Sequence, residues 1–166
     1  MQGDIEGAVR VAKIARSFEW TWAQRDLERF CAENSWVYPD QGADGASFLV
    51  TNLRVNIKKA NVFCNRQYIR GPSGRDESLE RITVYVTDIS RVKNKTVAAS
   101  LSECMNSMVA ELTIEFGEPT IVDLEPKRIR WIDHDCVISL LQRGTYILLE
   151  ILNPRYWMEV QDLDAE

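Results

Sequence analysis

The sequence predicts an α+β fold, with N-terminal helices and one long central amphipathic helix packed on a mainly antiparallel sheet. Three observations carry that expectation. The stretch Lys95 to Phe116 holds the longest helical periodicity in the chain. Short segments of alternating apolar and polar residues lie before and after it. Turns rich in Gly, Pro, Asn and Asp separate those segments at spacings that suit antiparallel neighbours. A helix flanked by two sets of strands buries its apolar stripe most readily on the sheet they form.

The central helix comes first because its signal is strongest. Val97, Leu101, Cys104, Met105, Met108, Val109, Leu112 and Phe116 recur at spacings of three and four, which gathers them on one face. Asn94 or Thr96 can cap its start. Gly117 sits where a left-handed residue ends a helix, and Pro119 stops it from resuming.

Upstream, Ile5, Ala8, Val11, Ala12 and Ala15 mark a first helix over about Ile5 to Ala15. A second is expected over Trp22 to Glu33, with Thr21 as its N-cap. Between them Phe18-Glu19-Trp20-Thr21-Trp22 is dense in large rings, which fit a hydrophobic anchor better than an exposed recognition cluster. Trp36 and Tyr38 begin a short extended piece that stops at Pro39, and the loop Asp40 to Gly45 follows. Ser47 to Ile57 alternates like a strand, Lys58 to Asn61 reads as a turn, and Val62 to Ile69 as the next strand. The hydrophilic stretch Arg70 to Ser78 is expected to be a mobile loop, and Arg81 to Ile89 a strand.

Downstream of the central helix, Ile121 to Leu124 reads as a short strand and Glu125-Pro126 as a turn. Ile129 and Trp131 mark the next strand, with Cys136, Ile138 and Leu140 as its hairpin partner across Asp133-His134-Asp135. Thr145 to Leu152 is almost continuously apolar and suits a strand in the sheet centre, ended by Asn153-Pro154. Tyr156 and Trp157 can pack back, and an acidic tail covers about 159–166.

The chain of 166 residues fits a single domain, 1–166, with 45% hydrophobic and 27% charged residues. A net charge of −5 disfavours a sequence-independent nucleic-acid binder, which needs a dense basic face. No run reaches the length of a membrane span, and the N-terminus lacks the apolar core of a signal peptide. Cys31, Cys64, Cys104 and Cys136 lie far apart in apolar patterns, so reduced thiols in a cytoplasmic protein are expected. With one histidine and no close cysteine pair, no metal or other cofactor is expected.

Catalytic motifs are equally sparse. Asp133-His134-Asp135 is the best local constellation, since carboxylates can orient an imidazole or share a metal with it. Neighbours on an extended segment point to opposite faces, however, so the three converge only in a special turn. Cys136 would need His134 as its base, but its alternation with Ile138 and Leu140 assigns it to the core. Gly71-Pro72-Ser73-Gly74-Arg75 leads to a strand pattern rather than the helix N-terminus that cradles a phosphate. The chain is therefore expected not to be an enzyme.

Phe18-Glu19-Trp20-Thr21-Trp22, Trp36, Phe116-Gly117-Glu118-Pro119-Thr120 and Ile129-Arg130-Trp131 together resemble a family of small uncharacterised actinobacterial proteins. In size, acidity and lack of catalytic motifs the chain is also similar to the immunity proteins of polymorphic toxin systems. That likeness implies a cytoplasmic protein that occludes a cognate toxin through an acidic surface. Its contacts are expected at Asp40, Asp44, Arg70, Arg75, Asp76 and Glu77 in the two polar loops. A chaperone that holds a secreted effector unfolded is the alternative, and a small-ligand binder or enzyme around His134 the third. Neither nucleic acid nor membrane is expected as a partner.

Overall fold

The computed structural model describes residues 2–39, 48–64 and 79–157. Among these residues three helices and seven strands follow in the order α1 (Ile5–Ser17), α2 (Asp26–Asn34), β1 (Phe48–Val50), β2 (Lys59–Cys64), β3 (Leu79–Tyr85), α3 (Lys95–Phe116), β4 (Ile121–Leu124), β5 (Lys127–Ile132), β6 (Val137–Arg143) and β7 (Tyr146–Leu152). A helical turn at 154–157 comes after β7. The strands form one sheet in the order β1-β2-β3-β7-β6-β5-β4. Every neighbouring pair is antiparallel. The fold is α+β, as the periodicities predict.

Helix α3 forms where the spacing places it. The Asn94 side chain accepts from the Val97 N–H at 2.8 Å, so Asn94 rather than Thr96 is the cap. Gly117 ends the helix at φ +83°, donating its N–H to the Thr113 carbonyl at 2.9 Å. Leu101, Met105, Met108 and Leu112 are fully buried, each worth about 1.5–3 kcal/mol of transfer from water. Val97, Cys104, Val109 and Phe116 flank them, partly buried. Helix α1 lies beside α3 and presents Ala8, Val11, Ala12 and Ala15 to the core. Its Gly7 is packed so tightly that a Cβ there would stand 2.6 Å from Leu53 Cδ2.

Both helices touch β6 and β7. The face they cover carries Ile82, Val84, Ile129, Trp131, Ile138, Leu140, Ile147, Leu149 and Ile151, all part of the main core. The alternate residues point to the other face. There Val137, Leu141, Leu148 and Leu152 are also buried, but outside that core cluster.

Several boundaries differ from expectation. The second helix begins at Asp26 rather than Trp22, and Thr21 is not its N-cap. Instead the Asp26 carboxylate accepts from the Thr21 and Trp22 N–H groups at 2.7 and 2.8 Å, which holds Trp22 at φ +57° outside a helix. The strand expected over Ser47 to Ile57 is only Phe48–Val50 among the described residues. Residues 51–58 turn back, with the Thr51 N–H donating to the Lys58 carbonyl at 3.2 Å. Lys59-Ala60-Asn61 is strand rather than turn, because Ala60 pairs with Leu49 on one side and Val84 on the other. Strand β3 begins at Leu79 and ends at Tyr85, short of Ile89. Cys136 lies just before β6.

Candidate functional site

Among the described residues two surfaces gather charged side chains, one at the C-terminal end of α3 and one on the sheet face away from the helices. The first begins with Arg16 in the last turn of α1. Its Nε donates to Asp133 Oδ2 at 2.8 Å, and its guanidinium lies 4.6 Å over the Phe116 ring. Lys13 Nζ, one turn earlier, meets Glu115 Oε2 at 2.9 Å. These contacts line a groove of about 510 Å³ formed by Lys13, Ile14, Arg16, Ser17, Glu115, Phe116 and Asp133. Behind Phe116 the Trp131 ring packs edge to face, and its indole donates to the Gly117 carbonyl at 2.9 Å.

Beside the groove, Glu111, Ile114 and Glu115 share the exposed stripe of α3, and Glu118 stands just past its end. Ile114 is 76% exposed. The last turn of α3 holds no basic residue, so these acids add to the negative end of the helix dipole. Like charge there costs a few tenths of a kcal/mol per residue. Folding alone does not favour it.

The structure places Asp133 in the groove wall, where Arg16 takes its carboxylate, and pairs His134 with Asp135 outside the groove lining. Asp133 is held below the usual carboxylate range by the His134 backbone N–H, then by the Arg16 guanidinium. His134 Nδ1 instead lies 2.7 Å from Asp135 Oδ1, with the ring almost fully exposed. The Asp135 carbonyl accepts from the Trp22 indole at 3.1 Å, tying the turn to the aromatic anchor. In that anchor Trp20 and Trp22 stack at 4.4 Å, and Phe18, Phe30 and Trp36 pack edge to face. Cys136 is buried, and burial pushes its thiol far above the ordinary range, which removes a thiolate nucleophile. Among the described residues no group of three or more His, Cys, Asp or Glu could hold a metal ion. Asp40, Asp44, Arg70, Arg75, Asp76 and Glu77 lie outside the described residues.

The second surface was not foreseen. On the sheet face away from the helices, Glu150 of β7 is 3% exposed. Its Oε2 accepts from the Ser139 hydroxyl at 3.2 Å and lies 3.6 Å from Arg128 Nε. Its Oε1 lies 4.0 Å from Arg81 Nη1. Arg130, 5% exposed, donates from Nη1 to Asp123 Oδ2 at 2.7 Å. Aromatic rings close the band at both ends, with Arg81 4.2 Å over Phe63 and Arg130 4.3 Å over Trp157. Burial lowers the Arg130 pKa, and the neighbouring Arg128 charge lowers it further. A sequence signal did exist. Glu150 interrupts a strand read as buried on both faces, and a buried carboxylate requires cationic partners.

The model of a family of unknown function (DUF6301) matches residues 6–153. No curated protein and no solved structure matches the chain.

Proposed function

We propose that this chain, which belongs to the DUF6301 family, is a non-enzymatic binding protein that neutralises a cognate bacterial toxin by occlusion. The observation that carries this reading is the end of α3. There Glu111, Glu115 and Glu118 surround the exposed Ile114 at the negative pole of the helix. Lys13 and Arg16 are already engaged by Glu115 and Asp133, so they do not neutralise Glu111 or Glu118. An apolar centre with an acidic rim complements a cationic catalytic surface, and acidic rims speed encounter through long-range steering. An exposed His134–Asp135 pair outside the groove lining and a protonated, buried Cys136 support occlusion rather than chemistry.

The test is co-expression with each neighbouring gene product that carries a toxin-like C-terminal domain, with toxin activity and association rate as readouts. The expected result is a stoichiometric complex, loss of toxin activity, and association that slows steeply with salt. Replacing Glu111 and Glu118 together by Lys is expected to slow association about tenfold. Failure to bind or inhibit any such product overturns the reading. The chaperone alternative draws on edge strand β4, where Val122 is 55% and Leu124 79% exposed. A partner that stays protease-sensitive throughout when bound selects it.

A further inference from the structure

We infer that the sheet face away from α1 and α3 binds a small oxyanion, a carboxylate or phosphate group, at the guanidinium groups of Arg81 and Arg128 that flank Glu150. The argument starts from hydrogen-bond donors. Among the described residues, Arg81 Nε and Arg128 Nε are both shielded from solvent and have no hydrogen-bond acceptor. Buried guanidinium N–H groups are strong donors, and leaving two of them unsatisfied within one cluster is unfavourable. Glu150 does not meet the need. It faces these guanidinium groups at 3.6 and 4.0 Å, too far for a hydrogen bond, and spends Oε2 on Ser139 at 3.2 Å.

Charge points the same way. Among the described residues of the band, Arg81, Arg128 and Arg130 face Glu150 and Asp123, three positive charges against two negative. A water molecule could accept hydrogen bonds here but would leave that imbalance in place. An anion supplies both acceptors and charge, and guanidinium forks match the oxygen spacing of carboxylates and phosphates. The donors are also held in position. Phe63 supports Arg81, and strand pairing of β3 with β7 and β6 with β5 fixes the rows from which the arginines project. Such preorganisation lowers the ordering cost of binding.

This site lies on the opposite sheet face from the acidic groove, so its failure and the failure of the occlusion reading are separate results. The experiment is a thermal-melt and calorimetric titration of the full chain with inorganic phosphate and with succinate, against sodium chloride at matched ionic strength. A saturable rise in Tm beyond the chloride control is expected with at least one of them. Arg81→Gln and Arg128→Gln are each expected to weaken binding about tenfold, the loss of one charge-assisted hydrogen bond. Glu150→Gln is expected to tighten it, because a competing negative charge is removed. A purely structural role for the band predicts no such tightening. Response to phosphate alone assigns a phosphate group, and response to succinate assigns a carboxylate. A rise no larger than with chloride overturns the inference, as does unchanged binding in both arginine variants.

Discussion

Asp4 and Arg54, fifty residues apart, are locked together at the start of α1. The Asp4 carboxylate accepts from the Gly7 N–H at 3.0 Å and so caps the helix. It also accepts from the Arg54 backbone N–H at 2.8 Å and from Arg54 Nη2 at 2.9 Å. One buried side chain thus caps a helix, pins the 51–58 turn and forms an ion pair.

Asp4→Ala is therefore expected to cost about 2–3 kcal/mol in urea unfolding, above the ~1 kcal/mol of an ordinary cap. Asp4→Asn keeps an oxygen for Gly7 and is expected to cost less. A loss below about 1 kcal/mol in the alanine variant would contradict the triple role.

Acid sensitivity follows from the same carboxylate. Burial raises the Asp4 pKa, but the Arg54 side chain and the Arg54 and Gly7 N–H groups together outweigh it, so the net shift is downward. A depressed native value means the unfolded state binds protons first as pH falls. Its stabilising contribution is complete above the unfolded value near 3.8 and fades as pH drops toward the native one. Asp133 acts in the same direction. Unfolding midpoints followed across acidic pH should be flatter in Asp4→Asn than in the parent chain.

Ser35 ends α2 in the left-handed region at φ +55°, and it is exposed. Glycine adopts that conformation without strain, so Ser35→Gly is expected to stabilise by about 0.5–1 kcal/mol. A drop in the thermal midpoint would show that the Ser35 side chain supplies more than its backbone strain costs.

At the buried band, Glu150→Ala leaves Arg81, Arg128 and Arg130 without their central carboxylate. It is expected to cost about 1–3 kcal/mol, since Arg81 and Arg128 are only partly buried and Arg130 keeps Asp123. Ile114→Asn at the exposed end of α3 is expected to change stability by less than about 0.5 kcal/mol. Parallel denaturant titrations of the two variants separate a residue that holds the fold from one free to meet a partner.

Elements whose evidence was local were legible in the sequence. Helix α3 carries its periodicity, Asn94 and Gly117 within one continuous stretch, and β5 and β6 alternate around an obvious turn. Reading failed where a distant partner decides the outcome. Lys59-Ala60-Asn61 looks like a turn until β1 and β3 pair with it on both sides. Thr21 looks like a cap, yet Asp26 takes its backbone N–H and holds Trp22 outside a helix. The band around Glu150 needs residues from five adjacent strands, β3, β7, β6, β5 and β4, and their adjacency is a property of strand order rather than of any motif. The groove was half visible. Asp133 was singled out for its neighbours His134 and Asp135, whereas its partner is Arg16 on α1.

Strand order also sets the course of assembly. Strands β1 to β3 form one meander and β4 to β7 another, and among the described residues the strand seam between them is β3 against β7. During synthesis β3 emerges well before β7, so its outer edge waits unpaired until residues 146–152 have been made. The seam pairs Arg81 with Leu152 and is among the least local contacts in the sheet. Contacts of that kind slow folding and prolong the exposure of an open strand edge. In the cell, the interval before β7 docks is when the nascent chain is most open to aggregation or chaperone capture.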